Sequence, residues 1–443
     1  MARRDASAPQ GDEPPGVRVL MDVRPLQELK RAPITAAYLD RLLKAFAAEP
    51  VPGESFAFVV RGIRDDPAAA LEAAGLPVAA RRHLPPTSRL FRSAGLTLDS
   101  FLLRGAEVRV AAGADEAGAA GTLYHTAGGA VPIASGLPVV ATLLDLAPWE
   151  LPERYAATTA ARFGHRLRAR NLRDAARLIV ASSAASEAAR RLLHLHEERL
   201  AIVPLAADPA FNPAAADPAR SAALRVRFDL PPRYLVFAGR YDARKDFATL
   251  FAALAALREQ APSESAPEPE PTAPSAAGSE SGEAASWPPV VVLAGAAGDG
   301  HEDSPAVARN ARRAGVADLI RLTPQLDVHD LAALQAGAAA HIQPGLSDGT
   351  GLAVSEALAV GIPVIGTRVG AIPETIGAAG IIVEPRDPAR LATAIRAIWE
   401  GGAVARQVTR RARQRAAGQQ RTWGDVARET RAVYAAVFDR DQP

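Results

Sequence analysis

Short apolar segments of strand length alternate with amphipathic helical patterns along most of the chain, and this alternation restricts the fold more than any other feature. It predicts parallel strands joined by helices that cover both faces of a sheet. The first series of apolar segments comprises residues 17–23, 56–60, 122–125, 139–144, 178–181 and 200–203. After a Pro- and Ala-rich passage, the second series comprises residues 234–238, 290–294, 339–343, 364–366 and 380–383. The sequence therefore predicts two α/β domains.

The length of 443 residues suits two or three domains of roughly 150 residues each. We expect a disordered tail over residues 1–16, a first domain over 17–205, a second domain over 206–420, and a C-terminal helix over 421–443 that returns to the first domain. Residues 260–289 consist almost wholly of Pro, Ser, Glu, Ala and Gly. Such a composition buries too little apolar surface to become ordered, so it predicts a disordered insertion in the second domain.

The composition excludes several classes of protein. The chain has no cysteine, which excludes a disulfide framework, a thiol nucleophile and a cysteine-ligated metal. Its net charge of +2 argues against a dedicated nucleic-acid-binding protein. The N-terminal residues lack the apolar core of an export signal, and the longest uncharged stretch, 121–144, is interrupted by glycine, proline and histidine. We therefore expect a cytoplasmic protein.

Two cations follow the first strand of the second domain. The segment GRYDARKDF starts at Gly239 and carries Arg240 and Lys245 before a helix that begins near Asp246. Open α/β sheets bind ligands at the carboxyl ends of their strands, and a guanidinium with an ammonium suits an anionic diphosphate. The alternative interpretation is that both cations are simply solvated.

A glycine-rich loop follows a later strand of the same domain, in the segment HIQPGLSDGTGLAVSEALAVGIPVIGTRVGAIPE. The loop carries Asp348, and a helix is predicted over residues 352–360, with Glu356 one turn beyond its start. Backbone amides at the helix start would form an anion site without charged side chains, at Thr350, Gly351 and Leu352. Glu356 is placed to accept hydrogen bonds from ribose hydroxyls. The alternatives are an ordinary turn residue for Asp348 and a helix-surface acid for Glu356.

These residues resemble the glycosyltransferase family 4 enzymes, which are retaining enzymes of GT-B architecture with two Rossmann-like parallel-sheet domains facing a cleft. The resemblance is specific over residues 234–391. In that family a Gly-Arg pair, followed by Lys five residues later, holds the donor diphosphate, and Arg240 and Lys245 match it. The family's EGFGLPVLEAMA is matched by DGTGLAVSEALA, in which the two acids are Asp348 and Glu356.

The resemblance implies a role for each matched residue. Asp348 would contact hydroxyls of the donor sugar and act in catalysis with Arg240 and Lys245, and Glu356 would bind the ribose. The other residues that would contact the donor are Gly239, Gly349, Thr350, Gly351 and Leu352. The implied reaction moves a hexose from a nucleoside-diphosphate sugar to a glycan or lipid-linked acceptor, in surface polysaccharide or glycoconjugate assembly. The donor is a co-substrate, and neither a cofactor nor a metal is expected.

The chain departs from the family pattern at three places. Asp348 stands where the family has Glu and is shorter by one methylene, about 1.5 Å. Leu144 stands where the family has a histidine before Asp145, and residues 25–34 lack the glycines of the family's first loop. The candidate acceptor-side residues are Arg24, His125 and Asp145. Their alternative roles are a surface arginine, a core or loop histidine and a loop-capping acid.

A periodic row of arginines precedes the last strands of the first domain. The row recurs every three or four residues and so shares one face of a predicted helix, at Arg162, Arg166, Arg170, Arg173 and Arg177. This face suits anionic lipid head groups and predicts peripheral contact with the inner face of a membrane. The alternative is a solvated helix face.

Three hypotheses follow for the activity. The leading one is a retaining, metal-independent glycosyltransferase in which the leaving phosphate oxygen takes the acceptor proton on the same face of the sugar. A double displacement would instead need a carboxylate nucleophile, for which Asp145 is the candidate. The second hypothesis is a catalytically degenerate relative that binds nucleotide or a partner without turnover. The third is another GT-B activity, epimerisation or phosphorolysis, and phosphorolysis needs a pyridoxal lysine in a chain that has only three lysines.

Overall fold

The computed structural model describes residues 17–29, 32–62, 64–84, 103, 121–127, 131–239, 241–260, 287–296 and 304–439. Within them, thirteen strands form two sheets, of seven and six strands. The first sheet contains β1 Val17–Asp22, β2 Ser55–Arg61, β3 Val78–Leu84, β4 Gly121–Ala127, β5 Val139–Leu143, β6 Arg177–Val180 and β7 Leu200–Ile202. The second contains β8 Leu235–Ala238, β9 Val291–Ala294, β10 Ile320–Thr323, β11 Ala340–Gln343, β12 Val364–Thr367 and β13 Gly380–Val383. The predicted α/β class with two sheets is confirmed.

Helices connect most of these strands. Those before residue 240 are Pro33–Ala48, Ala68–Ala73, Ala147–Glu150, Pro152–Tyr155, Thr159–Asp174, Ser183–Leu193 and Pro218–Phe228. Those after it are Phe247–Arg258, Ser304–Arg313, Val328–Ala336, Leu352–Ala359, Ile372–Ile376, Pro388–Trp399, Ala403–Ala417 and Trp423–Phe438. Parallel strands need such crossovers, so the helices follow from the sheet topology.

The order of the second sheet, β10-β9-β8-β11-β12-β13, fixes where a ligand site can form. All neighbouring strands in it are parallel. From β8 the chain first moves to one side through β9 and β10, and β11 then returns to the other side of β8. The loops after β8 and β11 therefore leave adjacent strands at the point where the order reverses, which is the binding position of open parallel sheets.

The apolar residues of the second sheet alternate between two cores. Leu235 and Phe237 of β8 point into one cluster of buried side chains, and Val236 between them points into the other. Because helices cover both faces, β8 has no polar residue and reads as a continuous apolar run. This is why the sequence identifies such a strand readily.

Two strands, β3 and β10, are missing from the sequence prediction. β3 has the sequence VAARRHL and β10 has IRLT, and both lie at the edge of their sheets. A strand at a sheet edge is buried less completely than a central one and tolerates charged residues, so neither segment forms an apolar run. The prediction for this part of the chain was therefore incomplete.

The chain divides into two compact units. Unit 1 comprises residues 1–142, 166–178 and 430–443, and unit 2 comprises residues 143–165 and 179–429. The second half of the last helix, from Thr430 onward, thus belongs to unit 1. There the Arg431 guanidinium forms a 2.7 Å ion pair with the largely buried Glu54.

Buried polar side chains form a hydrogen-bonded network in the core of unit 1. The His125 ring shares a 2.7 Å hydrogen bond with the Tyr434 hydroxyl through Nδ1 and a 2.8 Å bond with the Thr142 hydroxyl through Nε2. The Thr142 hydroxyl also lies 3.1 Å from the hydroxyl of Tyr38. Burial lowers the pKa of His125 to about 3, so the ring is neutral.

Candidate functional site

The loop after β8 presents a lysine at the carboxyl edge of the second sheet. Gly239 ends the strand, and its amide donates to the Ala294 carbonyl oxygen of β9. The Asp242 carboxylate accepts a 2.9 Å hydrogen bond from the Arg244 amide and so starts a tight turn over Ala243–Lys245. The helix then begins at Phe247, one residue after the predicted position. Arg240, predicted to bind the diphosphate, lies outside the described residues.

Lys245 is the cation that the structure places at this edge. Its ammonium lies 5.8 Å from the centroid of the Phe237 ring. Desolvation lowers the pKa of Lys245, while the nearby charge of Asp348 acts in the opposite direction and favours the ammonium. A partly desolvated ammonium interacts more strongly with an arriving anion than a fully hydrated one does.

Arg244 is a second cation of this loop that the sequence reasoning missed. It is only 8% exposed, and its Nη1 lies 2.5 Å from Oδ1 of Asp145. Desolvation would lower the pKa of Arg244, but Asp145 and Asp242 raise it, so the guanidinium stays charged. The signal was present in the sequence as a cation immediately before Lys245.

Asp145 has two partners within unit 2. Besides the ion pair with Arg244, its Oδ1 accepts a 2.9 Å hydrogen bond from the amide of Ala147, the first residue of the short helix Ala147–Glu150. Further contacts hold the same segment against the loop after β8: Tyr155 donates to the Asp242 carboxylate, and Arg154 donates to the Ala243 carbonyl oxygen at 3.1 Å. Asp145 is therefore a partner of Arg244 and a loop cap in this structure.

Asp348 lies in the loop after β11 and is only 9% exposed. Its Oδ1 accepts hydrogen bonds from the amides of Gly351, at 2.9 Å, and Thr350, at 3.1 Å. Burial would raise the pKa of Asp348, but Lys245, these two amides and Arg244 together hold it below its usual value. The carboxylate is thus ionised, and it interacts with two of the amides that were predicted to face a donor phosphate.

Two buried polar side chains, hydrogen-bonded in series, hold the second carboxylate oxygen of Asp348, Oδ2. The Gln343 amide donates to Asp348 Oδ2 at 2.9 Å, and its own oxygen lies 3.3 Å from Nε2 of His341. Both side chains are fully buried at the end of β11. Desolvation lowers the pKa of His341 to about 4, so the neutral ring donates to Gln343. The sequence reasoning missed both residues, although polar side chains in an apolar strand, AHIQ, were the available signal.

Two glycines of this loop allow neighbouring residues to pack closely against its backbone. Gly351 has φ of +62°, and a Cβ there would lie 2.4 Å from Oγ1 of Thr375. A Cβ on Gly349 would lie 3.2 Å from the carbonyl oxygen of Leu144. The Gly349 carbonyl oxygen also accepts a 3.2 Å hydrogen bond from the Ser182 hydroxyl. The absence of a side chain at both positions therefore leaves room for Thr375 and Leu144, and the Ser182 hydroxyl contacts the loop.

The helix after this loop, Leu352–Ala359, agrees with the predicted 352–360 to one residue. Glu356 lies on it and is only 8% exposed, which distinguishes it from a solvated surface acid. The structure therefore brings Gly239, Lys245, Asp348 and the residues from Gly349 to Glu356 together around β8 and β11. Their roles in binding and catalysis stay predictions.

The other two acceptor-side candidates lie in unit 1. Arg24 follows β1 and is buried, and its Nη2 forms a 2.7 Å ion pair with Asp22. His125 lies inside β4, where both ring nitrogens are used by Tyr434 and Thr142, so it is a core histidine. A ring with both nitrogens engaged in the core has no polar atom left to offer a ligand.

The arginine row is shorter than the sequence suggested. The helix ends at Asp174, so it carries exposed side chains of Arg162, Arg166, Arg170 and Arg173. Arg177 instead begins β6, where it donates to the Ala436 carbonyl oxygen at 3.2 Å. The predicted helical periodicity failed there because Ala175 and Ala176 connect the helix to a strand. Contact of this row with a membrane stays a prediction.

Two features are absent from the described part of the chain. None of its helices combines the length and the apolar character needed to cross a bilayer. It contains no group of three or more histidine, aspartate or glutamate side chains arranged to hold a metal ion.

Comparison with known proteins gives one family match. Residues 289–401, which include β9 to β13 and the loop with Asp348, match the sequence profile described as Glycosyl transferases group 1. A D-inositol 3-phosphate glycosyltransferase from Streptomyces avermitilis is 29% identical over 221 residues, which are 49% of this chain and 43% of that protein. The chain spans less than half the length of the curated relatives it matches.

Solved structures match over nearly the whole chain. A sucrose-phosphate synthase from Thermosynechococcus elongatus has a TM-score of 0.63 at 19% identity, covering 96% of this chain and 100% of that one. Anabaena HepE in complex with UDP has a TM-score of 0.62 at 16% identity, covering 95% and 99%. At such identities the likeness establishes the fold, and the predicted GT-B fold is confirmed. Assignment to glycosyltransferase family 4 is consistent with these findings and stays a prediction.

Proposed function

We propose that this protein is a retaining glycosyltransferase that moves a hexose from a nucleoside-diphosphate sugar to a glycan or lipid-linked acceptor. The observation that carries the proposal is that Lys245 and Asp348 follow two adjacent strands, β8 and β11, at their carboxyl ends and lie close enough for their charges to influence each other's pKa. The match of residues 289–401 to a glycosyltransferase profile supports it. The Anabaena structure with UDP supports a nucleotide donor.

In this proposal the cations neutralise the leaving diphosphate. Lys245 contacts the phosphate oxygens together with Arg240, and Arg244 adds positive potential while it stays paired with Asp145. Stabilising charge that develops on a leaving group is commonly a large term in catalysis. Asp348 orients the sugar through its hydroxyls, and Glu356 accepts from the ribose.

In this proposal, every bond and proton of the transfer is accounted for without a side-chain base or a metal. The bond between the anomeric carbon and the phosphate oxygen breaks, and the acceptor hydroxyl oxygen bonds to that carbon on the same face of the sugar. The acceptor proton passes to the leaving phosphate oxygen. In this scheme Asp145 acts as the partner of Arg244, and its Oδ1 also accepts from the Ala147 amide.

We further propose a cytoplasmic protein that acts in surface polysaccharide or glycoconjugate assembly. The exposed arginines of the helix Thr159–Asp174 support peripheral contact with anionic lipid, and the 58% exposed Phe163 lies on the same helix. Association with anionic vesicles that falls as salt rises would support this part of the proposal. Association that is absent at low salt would contradict it.

Calorimetry tests the donor site directly. GDP, UDP and ADP are titrated with EDTA present into the wild type, Lys245→Ala and the control Lys44→Ala. Lys44 is an exposed lysine of unit 1 whose ammonium pairs with Asp40, so its loss should not alter binding. We expect one nucleotide to bind, and Lys245→Ala to weaken it roughly 10- to 100-fold, as for a lost charge-assisted hydrogen bond of about 1.5–3 kcal/mol. Equal affinity of the wild type and Lys245→Ala would contradict the proposed site.

A catalytically degenerate relative is the second candidate function. The observation that favours it is that the Asp348 carboxylate already accepts hydrogen bonds from the amides of Thr350 and Gly351. In addition, Leu144 stands where the resembled family has a histidine. Release of nucleoside diphosphate from a sugar donor distinguishes the two candidates. Nucleotide binding without release, across a panel of donors and acceptors, would favour the degenerate protein.

A further inference from the structure

Two polar side chains lie inside β11, an interior strand of the second sheet. β11 has the sequence AHIQ, whereas the neighbouring β8, LVFA, is wholly apolar. His341 and Gln343 are both fully buried, and they lie two residues apart on one face of the strand. Burial of a polar side chain costs free energy unless the side chain is hydrogen-bonded. The partners of these two residues therefore indicate why they occupy an otherwise apolar strand.

The Gln343 side chain connects His341 to Asp348. Its Nε2 donates to Oδ2 of Asp348 at 2.9 Å, and its Oε1 lies 3.3 Å from Nε2 of His341. An ionised carboxylate only accepts hydrogen bonds, so the amide NH₂ of Gln343 must face Asp348 and its carbonyl oxygen must face His341. That oxygen needs a donor, and the Nε2–H tautomer of His341 supplies it.

The His341 ring acts as a hydrogen-bonding group toward Gln343 only, among the residues that the structure describes. Its Nδ1 is buried and has no hydrogen-bond partner there. The ring is otherwise stacked near Phe237, with the ring centroids 6.5 Å apart and the planes at 25°. Burial lowers the pKa of His341 to about 4 and the charge of Lys245 acts in the same direction, so the ring is neutral at neutral pH. The loss of its N–H donor therefore affects Gln343 first.

The bond from Gln343 also determines which oxygen of Asp348 can accept a further hydrogen bond. Oδ1 accepts from the amides of Gly351 and Thr350, at 2.9 and 3.1 Å, which uses both of its lone pairs. Within the described part of the chain, Oδ2 accepts from Gln343 alone and so retains one lone pair. A hydroxyl of a bound sugar would therefore donate to Oδ2.

We propose that His341 is a positioning residue for the donor sugar. Its Nε2–H holds the Gln343 amide in one orientation, and Gln343 in turn holds Oδ2 of Asp348, the oxygen that accepts from the sugar. The inference rests on the proposed function, because it uses the contact of Asp348 with the donor sugar. His341 itself touches no substrate and transfers no proton.

Two substitutions separate the hydrogen bond of His341 from the packing of its ring. His341→Phe keeps an aromatic ring near Phe237 and removes the N–H, whereas His341→Gln removes the ring and keeps an amide N–H at about the reach of Nε2. We expect kcat to fall roughly 2- to 10-fold in His341→Phe, as for one lost neutral hydrogen bond, and to fall less in His341→Gln. The opposite order, with His341→Phe the more active, would overturn the proposal.

A double substitution tests whether His341 acts through Gln343. Adding His341→Phe to Gln343→Leu should lower kcat no further than Gln343→Leu alone, because the bond is already absent. The affinity for a nucleoside diphosphate, which has no sugar to contact Asp348, should stay unchanged in calorimetry. The control His196→Phe, at an exposed histidine of the same unit, should match the wild type. Losses in kcat that multiply in the double variant would overturn the proposal.

Nuclear magnetic resonance of ¹⁵N-labelled histidine tests the contact without any activity. His341 is assigned by the signal that disappears in His341→Phe, and we expect a neutral ring protonated at Nε2 whose N–H resonance shifts in Gln343→Leu. An Nδ1–H tautomer, or a resonance that Gln343→Leu leaves unchanged, would overturn the proposal. Absence of turnover in the wild type would instead contradict the proposed function, and the resonance would still show whether His341 holds Gln343.

Discussion

Protonation of one buried residue, His125, should contribute to the destabilisation of unit 1 by acid. The ring is buried, its pKa is lowered to about 3, and its two nitrogens are bonded to Tyr434 and Thr142. In the unfolded chain the same ring titrates near 6.5, so below that pH the unfolded state binds a proton that the folded state does not. The contribution of His125 to the free energy of unfolding therefore has its full value above about pH 6.5 and is lost as the pH falls toward 3.

The size of the effect follows from the difference in pKa. One pKa unit corresponds to about 1.4 kcal/mol, so between pH 7 and pH 5 this histidine should cost unit 1 about 2 kcal/mol of unfolding free energy. The other titrating groups contribute to the same measurement, and a variant is needed to isolate the histidine. His125→Gln removes the titration while keeping a polar side chain.

Hydrogen exchange of the β4 strand, followed by mass spectrometry and corrected for the chemical exchange rate, measures this free energy. We expect the change from pH 7 to pH 5 to be smaller in His125→Gln than in the wild type by about 2 kcal/mol. Nuclear magnetic resonance of ¹³C-labelled histidine gives an independent check, because one ring should stay neutral below pH 4. A His125 resonance that titrates between pH 6 and 7 would refute the reasoning.

Three further substitutions have defined outcomes. Gln343→Leu removes the donor to Asp348 Oδ2, and we expect turnover to fall by roughly 5- to 100-fold, as for one unsatisfied buried acceptor; an unchanged turnover in a donor-release assay would contradict this. Gly351→Ala should destabilise unit 2 by more than about 1 kcal/mol because of its positive φ and the Thr375 contact, and Thr375→Ala should restore part of the loss in a melting experiment. Arg431→Ala leaves Glu54 buried without its ion-pair partner, and chemical denaturation should show a loss of about 3–5 kcal/mol.

The sequence predicted the elements of the second sheet well because their signals are local. Strands such as β8 and β9 are buried on both faces, so they read as uninterrupted apolar runs ended by glycine. The edge strands β3 and β10 lacked this signal and were not predicted. Similarly, the arginine spacing suggested a helix that continues to Arg177, but periodicity alone does not reveal where Ala175 and Ala176 turn the chain into β6.

The candidate site was predicted only in outline. The loops with Lys245 and Asp348 were predicted to follow two strands of the second domain, and the sheet order makes those strands neighbours, so the loops share one edge. The interactions inside the site were not predicted. The shorter side chain of Asp348 folds back onto the amides of its own loop, and Gln343 fixes it there. These details depend on bond lengths and orientations that residue types do not specify.

The sequence by itself determined the α/β class, most of the strands and the two loops, because apolar periodicity, glycines and capping residues act over a few positions. The tertiary structure alone decided the partners of the charged and polar residues. Arg244 meets Asp145, and His125 meets Tyr434, across separations of 99 and 309 residues along the chain. The physical reason is that burial makes each polar group require a partner, but the fold determines which distant residue is within hydrogen-bonding distance.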